Sequence, residues 1–242
     1  MPAADSAAAI AFRGLKKSYG GTPVLRGLDL EVPARGTFGL VGMNGAGKTT
    51  LIKCLLDFCD VDAGEVRIFG TPGRETHSRS RLAFLPERFV PPYYLTGRDF
   101  LRYMATLYAS EYSEAQVAAT LQQLDLDGAA LTRPVRAFSK GMTQKLGLAA
   151  CLLSGRDLLV LDEPTSGLDP KARALLKRQL QAARAAGRTI FLTSHALADV
   201  EELCDQMAVL HGGDLRFHGA PAALREKYRA PTLEAAYLSC IE

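Results

Sequence analysis

The chain has 242 residues, 48% hydrophobic and 23% charged, an ordinary globular mixture that fills one large domain or two small ones around a real core. Twenty-nine Lys and Arg against 26 Asp and Glu leave a net charge of +3 with no basic block, so composition does not argue for nucleic acid as the main partner. No stretch approaches the roughly 20 apolar residues of a membrane-spanning helix, and the Ala-rich start MPAADSAAAI carries Asp5 and no basic segment, so neither a bilayer span nor a secretion signal is expected.

Along the chain, short β-rich runs alternate with helical ones: TFGLV (37–41), VRIF (66–69), RLAFL (81–85), DLLVL (157–161), TIFLT (189–193) and QMAVL (206–210). That rhythm predicts an α/β fold with a largely parallel sheet. Across 95–154 the strand signals vanish, and DFLRYMATLY, SEAQVAATLQQL and KGMTQKLGLAACLL predict a helical insert. Gly212-Gly213 reads as a hairpin turn. The tail from about 220 to 242 reads as two short helices joined at Pro231, with Leu233, Ala236, Tyr237 and Leu238 on one face, expected to pack onto the rest of the chain rather than serve a regulatory or dimerising role. Cysteines 54, 59, 151, 204 and 240 form no C-x-x-C pair, which fits reduced, mostly buried thiols rather than a disulfide framework or a zinc site.

The chemistry starts at GLVGMNGAGKTTLIKCLL. Gly42-x-x-x-x-Gly47-Lys48-Thr49 follows a strand-like run and precedes an amphipathic helix, the two contexts a phosphate-binding P-loop requires. Small residues let successive backbone N–H groups point into one concavity, the helix start adds partial positive charge, and Lys48 adds a point charge for the β and γ phosphates. Gly42, Asn44, Gly45, Ala46, Gly47, Lys48, Thr49 and Thr50 are therefore the expected phosphate-side residues, with the Thr49 hydroxyl directed at Mg²⁺. Further on, DLLVLDEP delivers Asp162 and Glu163 to the carboxyl end of a buried strand, where ligands sit in open α/β sheets. Asp162 suits a hold on Mg²⁺, and Glu163 suits a general base toward the attacking water.

Three further stretches, AFSKGMTQKLGLA, LDEPTSGLDP and FLTSHAL, follow the P-loop in an order that resembles the ATPase subunit of ATP-binding cassette transporters, from about Ile10 to Leu215. The resemblance implies the fold of that ATPase: a mostly parallel P-loop core with an N-terminal antiparallel β part and the helical insert at about 95–154, all within a single nucleotide-binding domain over 1–242. It implies that Ser139 and Gly141 of the FSKGM stretch contact the γ-phosphate held by a second cassette, with Lys140 and Met142 departing from the usual residues. It also implies that Asp169 lies in a loop crossing a dimer interface, that His195 touches the γ-phosphate, and that Tyr19 stacks on adenine. Glu87, in FLPERFVPPYYLTG, takes the place of the family's usual glutamine near Mg²⁺, its extra negative charge needing Mg²⁺ or Arg88 to offset it.

The function so implied is ATP binding and hydrolysis by a homodimer closing around two ATP molecules on the cytoplasmic face of a membrane. A separate polytopic permease, and no nucleic acid, is the expected partner. LPE followed by SKGM is similar to single-cassette subunits of exporter systems. The residues Phe89, Val90, Pro91, Pro92, Tyr93 and Tyr94 suit docking to that permease. The competing expectation is a soluble ATPase of the same class acting as a clamp on DNA or ribosomes, but the second cassette or the coiled-coil or zinc insertion usual there is missing from this sequence. A P-loop kinase or GTPase would lack the SKGM and SGLD stretches.

Overall fold

The computed structural model describes residues 8–242; the first seven residues of the Ala-rich start lie outside the described residues. Strands β1 (Ala8–Tyr19) and β2 (Thr22–Pro33) form an antiparallel hairpin, and β3 (Thr37–Val41) then leads through the P-loop into helix α1 (Lys48–Leu55). Strands β4 (Ala63–Ile68) and β5 (Thr71–Pro72) return to the hairpin, giving a four-stranded antiparallel sheet in the order β2-β1-β4-β5. The VRIF run therefore lies in this front sheet and not in the parallel one. Its alternating burial, with Val66 and Ile68 inside, is that of a strand covered on one face.

After a 3₁₀ turn at Thr76–Arg81 come β6 (Leu82–Leu85) and three helices, α2 (Gly97–Leu107), α3 (Glu114–Gln123) and α4 (Lys140–Leu153). Each starts on a hydroxyl cap: Thr96, Ser113 and Ser139 accept the backbone N–H of Asp99, Gln116 and Met142. Strand β7 (Leu158–Asp162), helix α5 (Pro170–Ala185), strand β8 (Thr189–Ser194), helix α6 (Leu197–Leu203), and the hairpin of β9 (Gln206–His211) and β10 (Asp214–Gly219) complete a six-stranded sheet, β10-β9-β3-β8-β7-β6. All its pairs are parallel except the hairpin turning at Gly212-Gly213.

Every residue of β3, β7 and β8 is buried, as continuous apolar runs require when both sheet faces are covered. Side chains alternate between two cores. Leu158, Val160 and Phe191 face the front sheet and α1, whereas Leu159, Leu161 and Leu192 face the helices. Helix α4 approaches β6 closely because Gly147 has no side chain: a Cβ there would stand 2.7 Å from Leu85 and 2.8 Å from Phe89.

Helices α7 (Pro221–Tyr228) and α8 (Leu233–Ile241) close the chain. Leu233, Ala236, Tyr237 and Cys240 of α8 are buried, but Leu238 is 56% exposed, against expectation. The buried set follows the spacing of one helix face, which leaves position 238 on the outer side. Among the described residues, no helix is long and apolar enough to cross a membrane.

Candidate active site

The carboxyl ends of β3, β7 and β8 open into a cleft of about 400 Å³. Asn44, Gly45, Gly47, Lys48, Thr49 and Thr50 line one side, and Glu87, Asp162, Glu163 and His195 the other. Gly42 and Ala46 are buried behind this rim. A Cβ on Gly42 would meet the Leu210 carbonyl at 2.5 Å, so the turn leaving β3 passes too close to β9 for any side chain.

Lys48 is 7% exposed, and its Nζ donates to the Gly42 carbonyl at 2.6 Å and stands 3.7 Å from Glu163 Oε1. Asp162 and Glu163 are consecutive, and on an extended strand their side chains would point to opposite faces. Glu163 instead adopts a left-handed backbone with φ 49°, which turns the chain as β7 ends and leaves both carboxylates on the cleft. A non-glycine residue held there costs about 1 to 3 kcal/mol, so something must secure it.

Thr193 of β8 does so. Its hydroxyl accepts the Glu163 N–H at 2.9 Å and donates to Asp162 Oδ1 at 2.5 Å. On its other side Glu163 Oε2 lies 2.8 Å from His195 Nδ1 and 3.3 Å from the His195 backbone N, which donates to it. The Glu163 side chain is 6% exposed and that of His195 63%, so the imidazole forms the solvent wall of a buried carboxylate.

Burial raises the Asp162 pKa. The Thr193 hydroxyl opposes the rise, the charges of Glu87 and Glu163 add to it, and Lys48 counters them. Three carboxylates thus share the cleft with one lysine, and a triphosphate would add more negative charge. A divalent cation bound to oxygen donors fits this site, with Asp162, Glu87 and the Thr49 hydroxyl as available oxygens. Arg88 is exposed and forms no ion pair with Glu87 among the described residues.

Other expected residues stand away from this cleft. Ser139 is exposed at the start of α4, where it caps Met142, and Gly141 is half-buried two residues on. Asp169 is exposed and caps α5 through the Ala172 N–H at 2.9 Å. Tyr19 is 46% exposed beside Lys17 and does not line the cleft; Val24 and Met43 do, at the same rim. Val24 and Thr193 were not identified in the sequence, because an apolar residue in a hairpin and a threonine inside an apolar strand carry no local signal. Burial raises the Tyr237 pKa, and the backbone of Met43 partly opposes the rise.

A family model described as ABC transporter matches residues 25–166. Nod factor export ATP-binding protein I of Burkholderia orbicola is 39% identical over 229 residues, which is 91% of this chain and 74% of that protein. An uncharacterized ABC transporter ATP-binding protein of Nostoc sp. is 40% identical over 200 residues, or 81% of this chain and 59% of that protein, so the chain spans little more than half of that relative. A solved structure described as the ATP binding subunit of an ABC transporter superposes with a TM-score of 0.88 at 30% identity, covering 96% of this chain and 99% of that one.

Proposed function

The chain belongs to the ABC transporter family, and on that footing we propose that it is the ATP-hydrolysing subunit that drives a separate membrane permease, in the direction of export. The observation that carries this reading is the convergence of Lys48, Asp162, Glu163 and His195 on one P-loop cleft. Backbone N–H groups of the loop and Lys48 hold the triphosphate. Asp162, Glu87 and the Thr49 hydroxyl would hold Mg²⁺, which when bound would offset the negative charge of the triphosphate. Glu163 takes a proton from the water that attacks the γ-phosphorus, as the bond from that phosphorus to the ADP oxygen breaks. His195 fixes the Glu163 carboxylate through Nδ1 and keeps its other nitrogen for the cleft.

The active form is a homodimer. What supports this is that Ser139 and Gly141 lie outside this chain's own cleft, at the N-terminus of a 14-residue helix, where the partial positive charge favours an anion such as the triphosphate of a second copy. Asp169 is exposed at the start of α5, where it is accessible to a second copy.

The permease contact is the loop after Glu87, and it places the subunit peripherally on the cytoplasmic face of the membrane. Within it Phe89 turns inward against Phe100, with ring centroids 5.6 Å apart, and Pro91 is buried. The docking set therefore shrinks from the six residues expected to Val90, Tyr93 and Tyr94, which are 82%, 66% and 69% exposed, with half-buried Pro92 between them.

Steady-state ATPase activity measured against protein concentration tests the shared site. A rise steeper than linear is expected through the range where monomer predominates, and strict proportionality there contradicts it. With the permease co-expressed, changing Tyr93 and Tyr94 to Ala is expected to spare basal ATPase and abolish transport; normal transport in that double variant removes the loop from the coupling surface.

A further inference from the structure

Two of the five cysteines meet at the far end of the P-loop helix. Cys54 lies in the last turn of α1 and is 4% exposed, and Cys59 is half-buried in the following loop. The loop folds back because Asp57 takes a left-handed backbone with φ 60°. Its N–H bonds the Cys54 carbonyl, the next N–H bonds the Lys53 carbonyl, and Arg79 pairs with the Asp57 carboxylate at 3.4 Å. This turn brings the two sulfurs to 3.7 Å.

Both cysteines also line an open cavity of about 230 Å³ bounded by Asp57, Glu65, Pro72 and Arg74. Small oxidants therefore reach the pair from solvent without unfolding. Cys151, Cys204 and Cys240 are buried elsewhere and have no sulfur neighbour among the described residues.

The geometry points to Cys54 and Cys59 as a thiol-modification site that closes to an intramolecular disulfide on exposure to a peroxide. The Cys59 thiolate, the more accessible sulfur, attacks one peroxide oxygen; the O–O bond breaks, water or an alcohol leaves with a proton, and Cys59 becomes a sulfenic acid. Cys54 sulfur then attacks the Cys59 sulfur, the S–O bond breaks, a second water leaves with the Cys54 proton, and the S–S bond forms. Two thiols lose two protons and two electrons in all, and one peroxide is reduced. For the bond to form, the sulfurs must close from 3.7 Å to about 2 Å. Burial, and then the contact with Cys59, push the Cys54 thiol up to about 12, so Cys54 stays protonated and is not the sulfur that meets peroxide first.

Tyr19 is attached to this cluster. Its phenol pKa is raised first by the Cys59 thiol and then by burial, and its ring carries Lys17 at 5.3 Å, which in turn pairs with Asp62 at 3.3 Å. The modification site thus adjoins the helix that starts at Lys48 and the aromatic residue expected at the nucleotide's base.

Purified chain treated with hydrogen peroxide, then denatured, alkylated and mapped by mass spectrometry, tests the assignment. Two of the five thiols are expected to escape alkylation, with the peptide holding Cys54 and Cys59 two hydrogens lighter and restored by dithiothreitol. Cys59→Ser, at the half-exposed position, is expected to leave Cys54 alkylated in full, and Cys54→Ser to leave a sulfenic acid on Cys59 that a dimedone-type reagent traps. All five thiols still alkylated under peroxide, or Cys59 passing to sulfinic acid in the unmutated chain while Cys54 stays free, would overturn the proposal.

Discussion

Glu163 Oε2 stands 2.8 Å from His195 Nδ1 while its other oxygen faces Lys48 Nζ at 3.7 Å. One carboxylate is thereby shared between the group that orients it and the group that binds phosphate. Replacing it by Glu163→Gln keeps the shape and the contact with His195 but removes the proton acceptor. Turnover is expected to fall by about 10² to 10⁴-fold, the range of a general base. ATP affinity should hold or tighten slightly, because Lys48 is released from its ion pair. Equilibrium binding and single-turnover hydrolysis on the same variant separate these effects, and a rate near that of the unmutated chain would remove Glu163 from the base role.

Asp162 is the residue whose charge state the fold disfavours, since burial raises its pKa and Glu87 and Glu163 add to the rise. A carboxyl group that holds its proton more tightly folded than unfolded costs stability when ionised. The cost is present above the folded pKa and fades as pH falls through it toward the ordinary carboxylate range. Asp162→Asn, which can still accept the Thr193 hydroxyl, is therefore expected to raise the melting temperature of nucleotide-free protein by a few degrees at neutral pH. The gain should shrink as the pH is lowered, and Mg²⁺-dependent ATPase should be lost. Thermal melts of both proteins across acid to neutral pH check the sign.

Thr193 supports both acids at once. Thr193→Val keeps the volume but leaves the Asp162 oxygen and the Glu163 N–H without their partner in a buried site, at a cost of about 1 to 3 kcal/mol for each group stranded. It also releases the left-handed Glu163, so kcat should drop more than KM rises. Thr193→Ser should restore most of both properties. Urea unfolding midpoints and ATPase kinetics on the three proteins test this, and a Val variant as stable and active as the unmutated chain would show that water serves equally well.

Residues whose signal lies in their immediate neighbours along the chain were legible before any fold was known. The run TFGLV before glycines and a lysine announced the phosphate loop, and DLLVLDEP announced two acids at a strand end, because a buried strand and its ligand end are local events. Contacts between distant segments were not. Thr193 sits in an apolar strand and acts only because β8 pairs with β7, placing it opposite Asp162. Phe89 looked like its neighbours Val90 and Tyr93, yet the space left by Gly147, 58 positions later, draws it inward. The Cys54–Cys59 contact likewise depends on the left-handed turn at Asp57, a position where the sequence offers no glycine.

Gly147 links this packing to the active site. Alanine normally gains about 1 kcal/mol over glycine inside a helix. Here its Cβ would press on Leu85 at 2.7 Å and on the Phe89 ring at 2.8 Å, and Phe89 is held edge-on against Phe100. Overpacking of that kind costs about 1 to 3 kcal/mol, so the balance falls on the destabilising side. The strain is relieved most readily by moving Phe89, which lies two residues after Glu87. Gly147→Ala is therefore expected to lower the unfolding midpoint modestly and to reduce kcat several-fold, with ATP affinity unchanged because the P-loop is untouched. A parallel Phe89→Leu change, which makes room for the new methyl, should recover the lost rate. If the alanine variant is more stable and fully active, helix propensity outweighs the clash and the Glu87 loop does not depend on this contact.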